Sequence, residues 1–128
     1  EVISAITLPP RGKNAGDAYL RFIPRTEMDI AVVGCAVSLR LDGDKVVAAR
    51  VALGAVAPTV ILSEACAKAI IGTTLDDAAL AALAKAAEGE AKPITDKRGT
   101  KEFRIDVAGV LARRAAKIAY DRAKGLKA

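Results

Sequence analysis

Two cysteines, Cys35 and Cys66, lie far apart with no Cys-x-x-Cys pair, and histidine is absent. A zinc site or an iron–sulfur cluster needs several thiolate or imidazole ligands at close spacing, so neither can be assembled from this chain alone. Any redox centre must come from elsewhere. The spacing leaves a Cys35–Cys66 disulfide open, although two buried thiols acting as small hydrophobes is the plainer reading. No acid–base pair or activated nucleophile marks an independent active site.

The stretch Asp96-Lys97-Arg98-Gly99-Thr100 joins basic residues to a predicted helix start, where anions are favoured. It lacks the further glycines and the preceding strand of a phosphate loop, and no Gly-x-Gly-x-x-Gly fingerprint occurs. A structural role fits better: Asp96 and Arg98 fix the loop against its neighbours, and Gly99 supplies a turn.

These residues need a scaffold, and 128 residues, 52% of them hydrophobic, suffice for one domain with one core. Aromatics are scarce and tryptophan is absent, so the core is expected to consist of small and branched side chains. No apolar run reaches the ~20 residues of a membrane span, and no signal-peptide pattern opens the chain. The sequence begins at Glu1 without methionine. Val2, Ile3, Ala5, Ile6 and Leu8 alternate roughly as a strand does, so residues 1–14 read as a linker or edge strand of a longer polypeptide and 15–128 as the core.

Residues 15–22 have the makings of a short helix, ended by Pro24. Residues 29–41 are rich in β-branched types, with Val37, Leu39 and Leu41 alternating against Ser38 and Arg40, and predict a long strand. Asp42-Gly43-Asp44 tolerates a turn, so a second strand from Val46 to about Leu53 completes an antiparallel hairpin. Ser63 is a predicted N-cap for a helix closed near Gly72. Thr74 with Asp77 resembles a capping box, followed by an apolar stripe of Leu75, Ala79, Leu80, Leu83, Ala86 and Ala87. Thr100 caps a last long helix with an expected apolar face of Phe103, Val107, Val110, Leu111 and Ile118. Its other face is expected to carry Arg104, Arg113, Arg114, Lys117 and Arg122. Strands first and helices afterwards predict an α+β fold: an antiparallel sheet of three to four strands followed by a layer of about three helices.

The net charge of +5 is concentrated. Residues 1–95 hold ten basic and eleven acidic side chains, whereas 96–128 hold ten basic and four acidic. A basic final helix admits a free-standing protein-interaction or nucleic-acid-binding module as the alternative. With no aromatic platform and no groove-reading motif, the basic excess reads as a solvated helix face, and no nucleic-acid partner is expected.

Three segments carry a resemblance together. They are Tyr19-Leu20-Arg21-Phe22 running on through residues 25–34, then residues 49–59, and finally residues 93–104. In this order the chain resembles the C-terminal domain of the FAD-binding medium subunit in the carbon monoxide dehydrogenase and xanthine dehydrogenase family of molybdenum hydroxylases, from about Ala15 to Ala119. The resemblance implies an oxidoreductase complex in the cytoplasm. Its large subunit carries the molybdenum cofactor, its small subunit carries 2Fe-2S clusters, and FAD in the medium subunit passes electrons to an external acceptor. It also implies that FAD is held mainly by an upstream FAD-binding domain, and that the isolated domain binds FAD weakly or not at all. Arg21 falls where many relatives place a lysine close to the flavin ring. A fixed cation beside the flavin N1–O2 edge would stabilise the anionic reduced form, and a guanidinium suits two acceptors at once. Arg25, Glu27 and Asp29, in the loop bordering the flavin's access route, would shape acceptor entry. The plainer alternatives are that Asp29 opens a strand and Arg25 pairs with a nearby carboxylate.

Overall fold

The computed structural model describes residues 2–25 and 30–126. The order is β1 (Ala15–Phe22), β2 (Val33–Asp42), β3 (Lys45–Gly54), β4 (Ile61–Leu62), α1 (Glu64–Ile70), α2 (Asp77–Glu90) and α3 (Lys101–Ala123). The strands form one antiparallel sheet in the order β1-β2-β3-β4. The helices cover one of its faces, as the α+β reading predicts.

The β2–β3 hairpin follows from its residues. Val37, Leu39 and Leu41 are buried, Ser38 and Arg40 are exposed, and Gly43 takes a φ of +57°, a conformation that glycine adopts without steric penalty. The register shifts between Arg40 and Leu41, a bulge that increases the local twist.

Residues 15–22 correct the sequence reading, because they form β1 and not a helix. Ala15, Ala18 and Leu20 have no strong strand preference of their own, and pairing decides the matter: Ala15 lies opposite Arg40 and Phe22 opposite Val33. Tertiary context overrides a weak local propensity. Gly16 explains how the strand lies beneath α3. A Cβ there would collide with the Ala119 carbonyl oxygen and stand 2.6 Å from the Ala123 nitrogen. The expected strand in residues 1–14 is also absent among the described residues, and Val2, Ile3, Ile6 and Leu8 are exposed.

In the helical layer, Ser63 caps α1 by accepting from the Cys66 N–H at 3.0 Å, and Gly72 follows with a φ of +86°. The Thr74 capping box does not form. Leu75 adopts a left-handed φ of +55°, so the helix starts later and Asp76 is the N-cap, accepting from the Ala79 N–H at 2.8 Å. Ala79, Leu83 and Ala87 are buried as expected, with Leu80 and Ala86 packed alongside.

The buried face of α3 departs most from expectation. Phe103 and Val110 are exposed, whereas Ala108, Ala112, Ala115, Ala116 and Ala119 are fully buried with Leu111. Small side chains let the helix axis approach the sheet. Arg104, expected in solvent, begins this face.

The opposite face of the sheet is uncovered. Asp17, Tyr19 and Arg21 of β1 stand opposite Ser38, Ala36 and Gly34 of β2, and these stand opposite Arg50, Ala52 and Gly54 of β3. The result is a flat floor of glycine and alanine edged by Tyr19 and three arginines: Arg21, Arg40 and Arg50.

Candidate functional site

Arg21 lies on this uncovered face, exposed, at the second-last pair of β1 and β2. Beside it, the Tyr19 ring lies over Gly34, where an added Cβ would stand 2.9 Å from the tyrosine oxygen. Arg25 occupies a different place. With Pro24 it faces Asp96, Lys97 and Arg98 across an open cleft of about 350 Å³ that Arg21 does not line. Glu27 and Asp29, also expected at this edge, lie outside the described residues.

The turn opposite Arg25 is held from within. The backbones of Asp96 and Gly99 hydrogen-bond to each other in both directions, at 3.1 and 3.3 Å. The Asp96 carboxylate accepts from the Arg98 N–H at 2.8 Å and from the Arg104 guanidinium. The Arg98 backbone N–H, followed by Arg104, holds the Asp96 carboxyl below the usual carboxylate range. This bears out Asp96 and Arg98 as the residues that fix the loop, whereas Gly99 takes no left-handed φ and sits in the bridge to Asp96, not at the turn itself. Gly99 makes room for Phe103, whose ring would lie 2.9 Å from a Cβ at that position.

Arg104 is the functional candidate that sequence reasoning missed. It is only 4% exposed, and it donates to the Val32 carbonyl at 2.9 Å as well as to Asp96. Its Nε is buried without a hydrogen-bond partner. One signal was available: Arg104, Ala108, Ala112, Ala115, Ala119 and Ala123 recur every three or four residues, so Arg104 falls on the alanine stripe. Next to it, Phe103 meets Phe22 edge-on, with centroids 5.8 Å apart and an interplanar angle of 70°. The Val32 N–H donates to the Phe22 carbonyl at 2.9 Å. The first turn of α3 thus grips both ends of the β1–β2 connection.

A second open groove, of about 420 Å³, crosses the uncovered sheet face between Tyr19, Ser38, Arg50, Leu62 and Arg122. The basic C-terminal helix is partly used internally: Arg122 donates to the Asp17 carbonyl at 2.9 Å and Lys124 pairs with Asp44 at 2.7 Å. Arg113, Arg114 and Lys117 remain exposed.

Both cysteines are free and buried. Burial, with Cys66 nearby, pushes the Cys35 thiol up to about 12. The Cys66 thiol is also raised by burial, against the lowering effect of its hydrogen bond with Ser63. Such thiols are protonated at neutral pH and poor nucleophiles. No group of metal-ligating side chains converges among the described residues.

The residues fit FAD only at an edge. Gly16, Gly99 and Gly109 are closed by the chain's own atoms, and the glycines that stand open, Gly12, Gly43, Gly72, Gly89 and Gly125, fall in no Gly-x-Gly-x-x-Gly run. The exposed Arg21 guanidinium, by contrast, is free to meet an electron-rich ring edge.

Residues 18–119 match the CO dehydrogenase flavoprotein C-terminal domain family. The chain is 38% identical over 124 residues to the carbon monoxide dehydrogenase medium chain of Afipia carboxidovorans, covering 97% of this chain and 43% of that one. It is 29% identical over 126 residues to a putative xanthine dehydrogenase FAD-binding subunit of Escherichia coli, covering 98% and 43%. Among solved structures, carbon monoxide dehydrogenase from Hydrogenophaga pseudoflava superposes with a TM-score of 0.86 at 35% identity, covering 90% of this chain and 40% of that one. The chain therefore spans less than half the length of these relatives. With a family match over most of its residues and a shared fold, this chain belongs to the CO dehydrogenase flavoprotein C-terminal domain family.

Proposed function

We propose that this chain is the C-terminal domain of an FAD-binding subunit in a molybdenum hydroxylase, and that it closes over a flavin held mainly by a preceding domain. The observation that carries the reading is the family match across residues 18–119, supported by an exposed arginine at the uncovered end of the sheet and by a sequence without a Gly-x-Gly-x-x-Gly fingerprint. FAD, when bound, supplies the electron transfer from iron–sulfur clusters of a small subunit to an external acceptor, and hydroxylation belongs to a large molybdenum subunit. Arg21 offers a fixed positive charge, which favours electron uptake by a nearby ring. In this reading Arg25 borders the acceptor's path, and Asp29 is a candidate for the same role from the sequence alone. The basic-module alternative has weaker support, since Arg104, Arg122 and Lys124 bind within the domain.

Arg21→Ala in the full-length flavin subunit is expected to lower the flavin's reduction potential. An unchanged redox titration would remove Arg21 from the site. Calorimetric titration of the isolated domain with FAD tests the division of labour, and micromolar binding would refute it.

A further inference from the structure

The β1–β2 connection leaves the sheet at Phe22 and returns at Val32, and Arg21 stands one residue inside that closure, opposite Gly34. Two adjacent residues of α3 hold the closure. Phe103 packs on the Phe22 ring, and Arg104 donates to the Val32 carbonyl. The same guanidinium reaches Asp96 in the turn that forms the far wall of the Arg25 cleft. One buried fork therefore ties three places together: Val32 at the entry to β2, the 96–99 turn and the start of α3.

Burying a guanidinium carries a large desolvation penalty, and here one nitrogen is left unsatisfied. The face that continues from Arg104 is made of buried alanines, so a charged side chain is the exception on this stripe. What arginine provides is planar, two-directional donation to a carbonyl and a carboxylate at once, which a lysine ammonium on a flexible stem cannot reproduce.

We propose that Arg104 is a positioning residue, which fixes the sheet edge carrying Arg21 so that this guanidinium stands at a set place against the flavin. The inference rests on the reading that Arg21 meets the flavin. Arg104 itself touches no cofactor and acts through the backbone of Val32 and the turn at Asp96.

The test uses the full-length flavin subunit with FAD bound. The midpoint potential is read by spectroelectrochemical titration and folding by thermal unfolding, for Arg21→Ala, Arg104→Lys and the double variant. R104K is expected to keep its FAD and to lower the potential in the same direction as R21A, and the double variant is expected to match R21A alone. If R21A shifts the potential while R104K leaves it at the wild-type value, or if the two shifts add, Arg104 only stabilises the fold. The proposal is then overturned while the flavin reading stands. A shift in R104K with none in R21A separates the two residues and overturns it as well. If neither variant moves the potential, the flavin reading fails and takes the proposal with it. Should R104K not fold, Asp96→Asn, which leaves the arginine and its Val32 bond in place, enters the same comparison and is judged by the same outcomes.

Discussion

The two ends of α3 both fasten the sheet, by opposite means. At its start, Arg104 is buried against Val32 and Asp96. At its finish, Tyr120 donates to the Asp44 carbonyl at 2.6 Å and Lys124 pairs with the Asp44 carboxylate, all at the surface. Water competes for the second set of contacts and reaches the first only on its Asp96 side, so loss of a partner costs more at the buried end. The buried end serves Phe22 and Val32, the last residue of β1 and the residue before β2, with Phe103 and Arg104 as partners from another element. The surface end serves a hairpin turn at Gly43 and Asp44 that its own backbone already specifies.

Substitutions can break this comparison. The largest loss is expected for Arg104→Met, which leaves the Val32 carbonyl without its side-chain donor and takes one of its donors from the part-exposed Asp96: about 2–3 kcal/mol, toward the upper end for a buried acceptor left unsatisfied. Denaturant unfolding that showed no such loss would make both ends alike. Next comes Gly16→Ala, which forces strand and helix apart where the Ala119 carbonyl lies against the glycine, with an expected loss of about 1–3 kcal/mol from overpacking. Tyr120→Phe removes one exposed hydrogen bond and is expected to lose about 0.5–1.5 kcal/mol. Lys124→Ala should leave the unfolding midpoint unchanged within error.

Acid and base sharpen the contrast. The Asp96 carboxyl is held below its ordinary range, so its stabilising contribution is present above that range and is lost as pH falls through it. Asp96→Asn should flatten the acid limb of a stability–pH profile. The Cys35 thiol is raised from 9.0 to about 12, so the unfolded chain ionises first. Its contribution is intact below pH 9 and falls as pH rises from 9 towards 12, and Cys35→Ala should remove that slope.

Legibility in the sequence followed how locally each element is specified. The β2–β3 hairpin, the Ser63 and Thr100 caps and the α2 stripe were readable because side-chain alternation, turn residues and N-cap chemistry lie within a few positions of one another. β1 was not, because Ala15 to Phe22 becomes a strand through pairing with residues 33–40. Thr74 misled because Leu75 turns left-handed. On α3, bulky residues suggested the wrong face, whereas the alanines and Gly16 allow a close approach that hydrophobicity alone does not reveal. The resemblance to a family singles out Arg21 as a candidate, and the structure gives its place on the uncovered sheet face, opposite Gly34. Arg104 was hidden because its partners Val32 and Asp96 are brought to it by the fold.

The two free thiols give the domain an internal clock. Cys35 lies on β2 beneath the helical layer, and Cys66 in α1 lies near enough to influence it. Neither side can be alkylated until helices and sheet part. The rate at which a thiol reagent reaches Cys35 and Cys66 therefore counts openings of this interface, without any introduced label.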